Sequence, residues 1–353
     1  MEWARRSLTG PPLTGAELEV ALGRDTPLLS MIQEAYEVRR TFFGNRVQVH
    51  ILNNAQNARC PEDCGYCSQS AVSEAPLRPY SWKSQLELLK EAREAYDAGA
   101  YRYCIVASGR GPTTKQVRHV AEAVREIKRQ VPVQVCVSVG IVDEEMAGIL
   151  KAAGVDRLNH NLNTSEAHHP RICTTHTYGD RLSTLRAAQT AGLELCSGLI
   201  VGMGETDRDL VDLALALRKL EVSSIPVNFL IPIEGNPVQS DGSLTPERCL
   251  RVLAMFRLAN PRAEIRAAGG REGHLRSLEA LALYPANSLF VYGYLTTTGR
   301  GPVDTYRMIR DAGFVIERAD GRIAPWAELG LDEAFRVGGT EQILKPEVRT
   351  QVG

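Results

Sequence analysis

Short apolar runs alternate with longer amphipathic runs along most of this chain. From about residue 45 onward the pattern predicts eight strands rich in β-branched residues, separated by helices that each carry one apolar stripe. The predicted strands are Val47–Leu52, Tyr101–Ala107, Val131–Val139, Asp156–Leu162, Glu194–Val201, Pro226–Ile231, Glu264–Ala268 and Ser288–Val291. Ala-Gly pairs such as Ala98-Gly99 recur where the helices end, because glycine there can adopt the left-handed conformation that stops a helix.

Strands that alternate with helices imply a parallel sheet, since each connection must cross over. Open doubly wound sheets and closed barrels both satisfy this pattern. The count of eight and the even spacing favour an α/β fold of the (β/α)8 TIM type. We expect an N-terminal helical extension over residues 1–45, in which the amphipathic run Leu28–Phe43 caps one barrel end. The barrel itself is expected over 46–320 and a C-terminal tail over 321–353.

Composition narrows the classes of protein to which the chain can belong. Its 353 residues are 44% hydrophobic and carry a formal net charge of −1, which gives no reason to expect a nucleic-acid or membrane partner. No apolar stretch approaches the ~20 residues of a membrane span, and no signal-peptide core follows the N-terminus. Eight cysteines then indicate metal ligands or catalytic thiols in a reducing compartment, so we expect a cytoplasmic protein.

Three of these cysteines, Cys60, Cys64 and Cys67, form a Cys-x3-Cys-x2-Cys loop. They can hold three irons of a cubane cluster and leave the fourth iron free to bind a substrate or cofactor. Structural zinc sites usually take two separated ligand pairs, and a ferredoxin-type site needs a fourth nearby cysteine. A disulfide framework belongs to small secreted chains. The loop therefore favours an iron–sulfur cluster, with zinc as the main alternative.

A second set of candidate ligands lies on four different predicted strands. It consists of Cys104, Cys136, Cys196 and Arg266. Cysteine is also a small hydrophobe that packs well in barrel cores, but a buried guanidinium requires anionic partners. Three thiolates with bridging sulfides could supply that charge. Of the remaining cysteines, Cys249 is assigned to packing in an apolar helix, and Cys173 is given no role.

The cysteine loop resembles the signature of the radical S-adenosylmethionine (SAM) enzymes, and the segment Cys60–Ser70 resembles the biotin synthase family in particular. The resemblance extends over roughly residues 40 to 315. It implies that the loop holds a [4Fe–4S] cluster that binds SAM. It also implies that the quartet of Cys104, Cys136, Cys196 and Arg266 holds a [2Fe–2S] cluster.

The resemblance also implies contacts for SAM and substrate. Those for SAM are Tyr66 and Ile200 at the adenine, Asn161 and Asn163 at the ribose, and Arg181 at the carboxylate. Those for the substrate are Asn159, Asn161 and Asn228 at a ureido group, and Thr296 and Thr297 at a carboxylate. The three asparagines of the fourth strand occur at alternate positions and so share one face. Arg181 could instead be a solvated helix residue, and the two threonines ordinary loop hydroxyls. Many radical SAM enzymes carry Gly-Gly-Glu after the second strand, where this chain has Val106–Gly111.

The implied reaction converts dethiobiotin to biotin, with a 5′-deoxyadenosyl radical from SAM and sulfur from the second cluster. The resemblance further implies flavodoxin or ferredoxin as electron donor, iron–sulfur assembly machinery as a partner, and a homodimer. One alternative is another radical SAM barrel enzyme, such as a hydrogenase-cofactor maturase. The other is a non-enzymatic iron–sulfur carrier or zinc protein.

Overall fold

A computed structural model describes residues 2–240, 242–292 and 301–331. One parallel sheet closes into a barrel, because β1 pairs with both β2 and β9. The strands are β1 Arg46–Gln56, β2 Arg102–Ala107, β3 Gln134–Ser138, β4 Arg157–Asn159, β5 Glu194–Cys196, β6 Leu199–Val201, β7 Ser224–Phe229, β8 Glu264–Ala267, β9 Ser288–Val291 and β10 Val315–Glu317. The short strands β5 and β6 together fill the fifth barrel position, and β10 pairs with the start of β1 outside the ring. The prediction of an α/β barrel is confirmed.

Helices surround this sheet and also precede it. They are α1 Glu2–Thr9, α2 Gly15–Leu22, α3 Leu28–Phe43, α4 Gln85–Asp97, α5 Thr114–Gln130, α6 Glu144–Ala152, α7 Tyr178–Thr190, α8 Asp207–Lys219, α9 Pro246–Ala259, α10 Arg271–Leu275 and α11 Pro302–Asp311. Short 3-10 helices cover His169–Arg171, Arg276–Leu283 and Trp326–Leu329. Capping boxes begin α4, α5, α7 and α8. The Ser or Thr that precedes each of these four helices accepts a hydrogen bond from the backbone N–H of the third helical residue.

The N-terminal helices pack on the amino-terminal side of the barrel. The buried side chain of Arg39 in α3 donates to the carbonyls of Arg46, at the start of β1, and of Ala286, just before β9. Helices α1 and α3 also contact α9. These contacts leave the carboxyl ends of the strands, where barrel active sites form, uncovered by α1–α3. Within the described parts of the chain, no helix is both long and apolar enough to cross a membrane.

Several predicted strands, the fourth and fifth among them, are shorter in the structure than their sequence pattern suggests. The fourth ends at Asn159, and the fifth is interrupted at Ser197 and Gly198. The backbone N–H groups of Leu162 and Gly198 donate to the side chains of Ser197 and Asn161 instead of continuing the ladder. Polar side chains that compete for backbone groups are not visible in an apolar pattern, which explains the error.

Gly198 lies at a close approach between two strands. A Cβ atom there would lie 2.0 Å from the carbonyl oxygen of Pro226 in β7, so no larger residue fits without moving the backbone. The close approach at Gly198 is therefore to the neighbouring strand β7.

Candidate active site

The cysteine loop leaves the carboxyl end of β1 and folds back on itself. The N–H of Cys60 donates to the carbonyl of Gln69 at 2.7 Å, and the N–H of Cys67 donates to the carbonyl of Cys64 at 3.1 Å. The N–H of Gly65 donates to Ile172, in the segment after β4, and its carbonyl accepts from Val238. The loop is thus fixed by its own turns and by two neighbouring connections of the barrel.

Two acidic residues between the first two cysteines anchor the loop further. Asp63 accepts from the backbone N–H groups of Thr174 and Thr175, at 2.9 and 3.1 Å. Although burial opposes it, the hydrogen bond from the Thr174 hydroxyl, together with these backbone bonds, holds the pKa of Asp63 well below its usual range. Glu62 accepts from Arg110 Nη1 at 3.0 Å and meets the ring of His176. Sequence reasoning missed both roles, because an acidic residue in a loop carries no sign of its distant partners.

Tyr66, Asn163 and Arg181 meet directly beside the loop. The Arg181 guanidinium donates to the Tyr66 hydroxyl at 3.3 Å and to the backbone carbonyl of Asn161 at 2.7 Å, and it lies 3.9 Å from Cys64 Sγ. The Asn163 amide donates to the same hydroxyl. Arg181 is only 8% exposed, so the alternative of a solvated helix residue is wrong. Here a buried cation faces the thiols of the loop.

A cavity of about 230 Å³ adjoins the loop at the mouth of the barrel. Its lining includes Tyr66, Cys67 and Ile200, together with Asn228 and Phe290. The Ile200 side chain therefore lies on the same cavity as the aromatic residue of the loop. Polar and apolar groups converge there, as is typical of sites that bind small molecules.

The four candidate ligands from separate strands line a second cavity, of about 190 Å³, inside the barrel. Cys104 and Cys136 are direct register partners on β2 and β3, and Cys196 lies on β5 opposite Asn159 of β4. Arg266 reaches the same cavity from β8. All four side chains are buried, and the structure brings together the complete set that the sequence predicted.

Two buried arginines, Arg266 and Arg102, lie near the thiols of this second cavity. Arg266 donates to Ser224 Oγ at 2.9 Å and to Glu264, and its guanidinium lies 4.8 Å from the centre of the Phe290 ring. Its Nε makes no hydrogen bond to any described residue, and neither do Nε and Nη1 of the buried Arg102. Unpartnered buried donors are rare. Cationic donors around three thiols fit an anionic sulfide cluster.

The thiols in this cavity are themselves linked. A hydrogen bond from Cys136 lowers the pKa of Cys104 against the effect of burial, and the cation of Arg266 contributes. The same bond raises the pKa of Cys136 to about 12, with burial adding to it. Of the three thiols in this cavity, Cys104 is the one whose pKa is lowered, and the thiolate is the form of cysteine that binds iron.

Three amide side chains, Asn159, Asn161 and Asn228, line the second cavity, and Asn228 also lines the first. Asn159 donates to Cys196 Sγ and to Asn161 Oδ1, both at 3.1 Å. Asn228 donates to the carbonyl of Leu199 and accepts from the N–H of Gly269, both at 2.9 Å. Counting the hydrogen bonds among the described residues, Asn228 keeps one donor and one acceptor position for a ligand, Asn161 keeps its two N–H donors, and Asn159 keeps one acceptor position. Thr296 and Thr297 lie outside the described residues.

Cys173 lies beside the loop, where the sequence gave it no role. Its Sγ is 3.6 Å from Cys64 Sγ and 3.3 Å from Nδ1 of His176. Its segment after β4 is not part of any recognisable motif, so only the folded structure reveals this contact. Cys249 is buried in α9 and packs in the apolar core, as predicted.

Comparisons with known proteins agree with this arrangement. Residues 57–217 match the Radical SAM superfamily, and residues 226–315 match the Biotin and Thiamin Synthesis associated domain. The fold is similar to that of the FeFe-hydrogenase maturase HydG from Carboxydothermus hydrogenoformans. The TM-score is 0.77 at 17% identity, over 90% of this chain and 78% of that one. At such low identity the likeness concerns the fold alone.

Two relatives with much higher sequence identity to this chain have the same name. The chain is 55% identical to the biotin synthase of Acaryochloris marina (strain MBIC 11017), over 91% of this chain and 92% of that protein. It is 50% identical to the biotin synthase of Geobacillus kaustophilus (strain HTA426), over 90% and 95%. The chain therefore belongs to the biotin synthase family of radical SAM enzymes.

Proposed function

We propose that this chain inserts sulfur into dethiobiotin to form biotin, with Cys104, Cys136, Cys196 and Arg266 as ligands of a sulfur-donating [2Fe–2S] cluster. The observation that carries the proposal is the cavity inside the barrel. It brings three thiols and a buried arginine together from four separate strands. A radical SAM barrel with a single cluster would need no such set.

Membership of the radical SAM enzymes implies a [4Fe–4S] cluster and SAM, for which the loop supplies Cys60, Cys64 and Cys67. When bound, this cluster supplies the electron that cleaves SAM to methionine and a 5′-deoxyadenosyl radical. The chain's own residues bind and orient SAM. We assign Arg181 to the SAM carboxylate, since it is a buried cation beside Cys64 with hydrogen bonds that fix its direction. Tyr66 and Ile200 are assigned to the adenine, and Asn161 and Asn163 to the ribose.

The second cluster supplies sulfur when it is bound, and the surrounding residues hold it and exclude water. Glu264 and Ser224 fix the guanidinium of Arg266 from one side, and Phe290 covers it. Because Ser224 and Glu264 both accept from Nη2 of Arg266, its Nε makes no hydrogen bond to a described residue and remains available as a donor in the cavity wall. This arrangement positions Arg266 before any cluster is present.

The substrate is placed between the two cavities. Leu52, Asn228 and Phe290 line both of them, so a molecule held there reaches the cysteine loop on one side and the quartet on the other. Asn159, Asn161 and Asn228 offer the paired donors and acceptors that a ureido group requires. We keep Thr296 and Thr297 as proposed contacts for the carboxylate tail. A substrate held next to both cavities is expected to react at one carbon, because the reacting groups are already oriented. Enclosure inside the barrel protects the radical from water.

The remaining assignments are also proposals. They are an electron donor of the flavodoxin or ferredoxin type, iron–sulfur assembly machinery that rebuilds the consumed cluster, a homodimer, and a cytoplasmic location. The division into an extension over 1–45, a barrel over 46–320 and a tail over 321–353 belongs with them. An electron donor is required because SAM cleavage consumes an electron that no residue of the chain provides.

The test uses anaerobically reconstituted full-length protein with SAM, a reductant and dethiobiotin. Biotin and 5′-deoxyadenosine are quantified by mass spectrometry. We expect biotin together with one deoxyadenosine for each of its two new C–S bonds. Deoxyadenosine without biotin would overturn the proposed substrate and point to the chemistry of another radical SAM barrel, such as a hydrogenase-cofactor maturase. If protein shown to contain iron formed neither product, the proposed enzymatic function would be overturned.

A further inference from the structure

Cys64, Cys173 and His176 form a compact group of potential metal ligands at the edge of the cysteine loop. Their ligand atoms all lie within 4.8 Å of one another, and all three residues are buried. Cys173 follows the 3-10 helix His169–Arg171, and His176 precedes α7. The turn between them points both side chains at Cys64, although the function proposed above uses only Cys64.

The separations of these atoms match those around a tetrahedral metal ion. With Zn–S near 2.3 Å and Zn–N near 2.0 Å, tetrahedral angles place ligand atoms roughly 3.4–3.8 Å apart. Cys173 Sγ lies 3.6 Å from Cys64 Sγ and 3.7 Å from His176 Nε2. Both separations of Cys173 thus fall in the range that one tetrahedral ion requires, and the third pair of ligand atoms lies within 4.8 Å.

The histidine also has the partner that metal-binding histidines usually have. His176 Nδ1 meets the carboxylate of Glu62, which is itself held by Arg110 and Thr175. A carboxylate on one ring nitrogen fixes the ring and leaves the other nitrogen, here Nε2, to bind a metal. Asp63 Oδ1 also accepts from Cys173 Sγ at 3.2 Å, but the same oxygen accepts from the backbone N–H groups of Thr174 and Thr175. We therefore assign the fourth position to water and not to Asp63.

We propose that Cys64, Cys173 and His176 bind one thiophilic divalent cation of the zinc type when the chain carries no cluster. Two thiolates and one imidazole are a donor set that zinc favours. Because Cys64 belongs to this site and to the cluster loop, the two metal groups exclude each other. The bound cation protects the loop thiols in the cluster-free chain and must leave before the cluster forms. The proposal concerns the cluster-free protein and does not depend on the substrate proposed above.

The first experiment titrates anaerobic, reduced, cluster-free full-length protein with Co²⁺, which reports thiolate ligands through a sulfur-to-cobalt charge-transfer band. Wild-type protein is expected to bind one Co²⁺ tetrahedrally and to release it to Zn²⁺. Cys173→Ser and His176→Gln should each weaken binding by roughly tenfold or more, since even supporting residues contribute this much. Cys249→Ser is the matched control, a buried cysteine remote from the site, and should leave binding unchanged.

A different result would overturn the proposal. If Cys173→Ser and His176→Gln bind Co²⁺ as wild type does, while Cys60→Ser abolishes binding, the ion sits on the three loop cysteines instead. Circular dichroism spectra of the same samples check that each variant is folded. Should Cys173→Ser fail to fold, Cys173→Ala takes its place.

A second readout follows reconstitution by the absorbance of the iron–sulfur cluster. One equivalent of Zn²⁺ should slow cluster formation in wild type several-fold and have less effect on Cys173→Ser. Equal slowing in both proteins would contradict a shared site. Because Co²⁺ binding is measured without SAM or dethiobiotin, its failure is distinct from a failure to make biotin.

Discussion

The two groups of cysteines in this barrel are assembled in opposite ways. Cys60, Cys64 and Cys67 come from one loop, which distant segments then support through contacts such as those of Cys173 and Arg181 with Cys64. The quartet inside the barrel comes from β2, β3, β5 and β8, so the register of the sheet alone brings it together. A site whose ligands are close together in the sequence can therefore be recognised from their spacing. A site whose ligands come from several strands can be recognised only once it is known which side chains of those strands point into the barrel.

The two sites also differ in how their charges are supported. The loop is partly open, with Cys60 and Cys67 partly exposed, and its anchors include the half-exposed Arg110. The quartet stands on a buried network in which Glu264 pairs with Arg157 and Arg266 and lies 3.1 Å from His50. Burial makes such a network costly to disturb, while exposed pairs contribute little. Substitutions at each of the two sites in turn test this difference.

The largest effect is expected from Cys64→Ala in the loop. Loss of one of three ligands should prevent the chain from holding the cluster that cleaves SAM, so deoxyadenosine formation should fall to background. Mass spectrometry of the reaction mixture measures it. Cys249→Ala, which removes a thiol from the packed core of α9, is the control and should retain cleavage. Substantial deoxyadenosine from Cys64→Ala would contradict the assignment of the loop.

Cys136→Ala separates the two sites. Cys136 is the register partner of Cys104 and lines the same cavity as Cys196, so its loss should disrupt the whole set. Because the loop is built independently, some SAM cleavage should persist while biotin is no longer formed. The measurement is the ratio of deoxyadenosine to biotin in the two proteins. Catalytic formation of biotin by this variant would refute the role of the quartet as sulfur donor.

The same contrast explains how far sequence reasoning could reach. The barrel, the loop and the quartet were all predicted, because their signals are short apolar runs, local spacing and residue type. The support of the loop by Glu62 and His176 was not predicted, since those residues are far apart in sequence and follow no period. Nor was the role of Glu264, which precedes Arg266 by two residues and pairs with both Arg266 and the distant Arg157. Contacts between side chains of distant segments depend on the folded geometry itself.

Glu264→Gln tests the buried network beneath the quartet. Glutamine has nearly the same shape but no charge, so the guanidiniums of Arg157 and Arg266 would lose their shared anion. Breaking a buried pair in this way costs about 3–5 kcal/mol. Urea unfolding of the cluster-free protein measures the change in unfolding free energy.

The matched control for that variant is Glu194→Gln. Glu194 pairs with the same Arg157, but its side chain is 54% exposed. We expect a loss below about 1 kcal/mol there, because solvent screens the pair. Equal losses in the two variants would show that burial does not set the cost.

The smallest effect is expected from Arg110→Ala at the loop. Arg110 Nη1 donates to Glu62 and to the carbonyl of Thr175, but its side chain is 48% exposed. Its removal should therefore cost less than about 1 kcal/mol of unfolding free energy. Arg40→Ala, which breaks another exposed pair on α3, provides the comparison.

Cluster retention gives this last variant a second readout. Asp63 and His176 still tie the loop to the segment after β4 when Arg110 is absent. Iron content after reconstitution should accordingly stay close to that of wild type. If Arg110→Ala instead lost its cluster while Arg40→Ala kept it, the loop would depend on an exposed ion pair. The contrast between a loop with redundant anchors and a quartet that rests on one buried carboxylate would then be wrong.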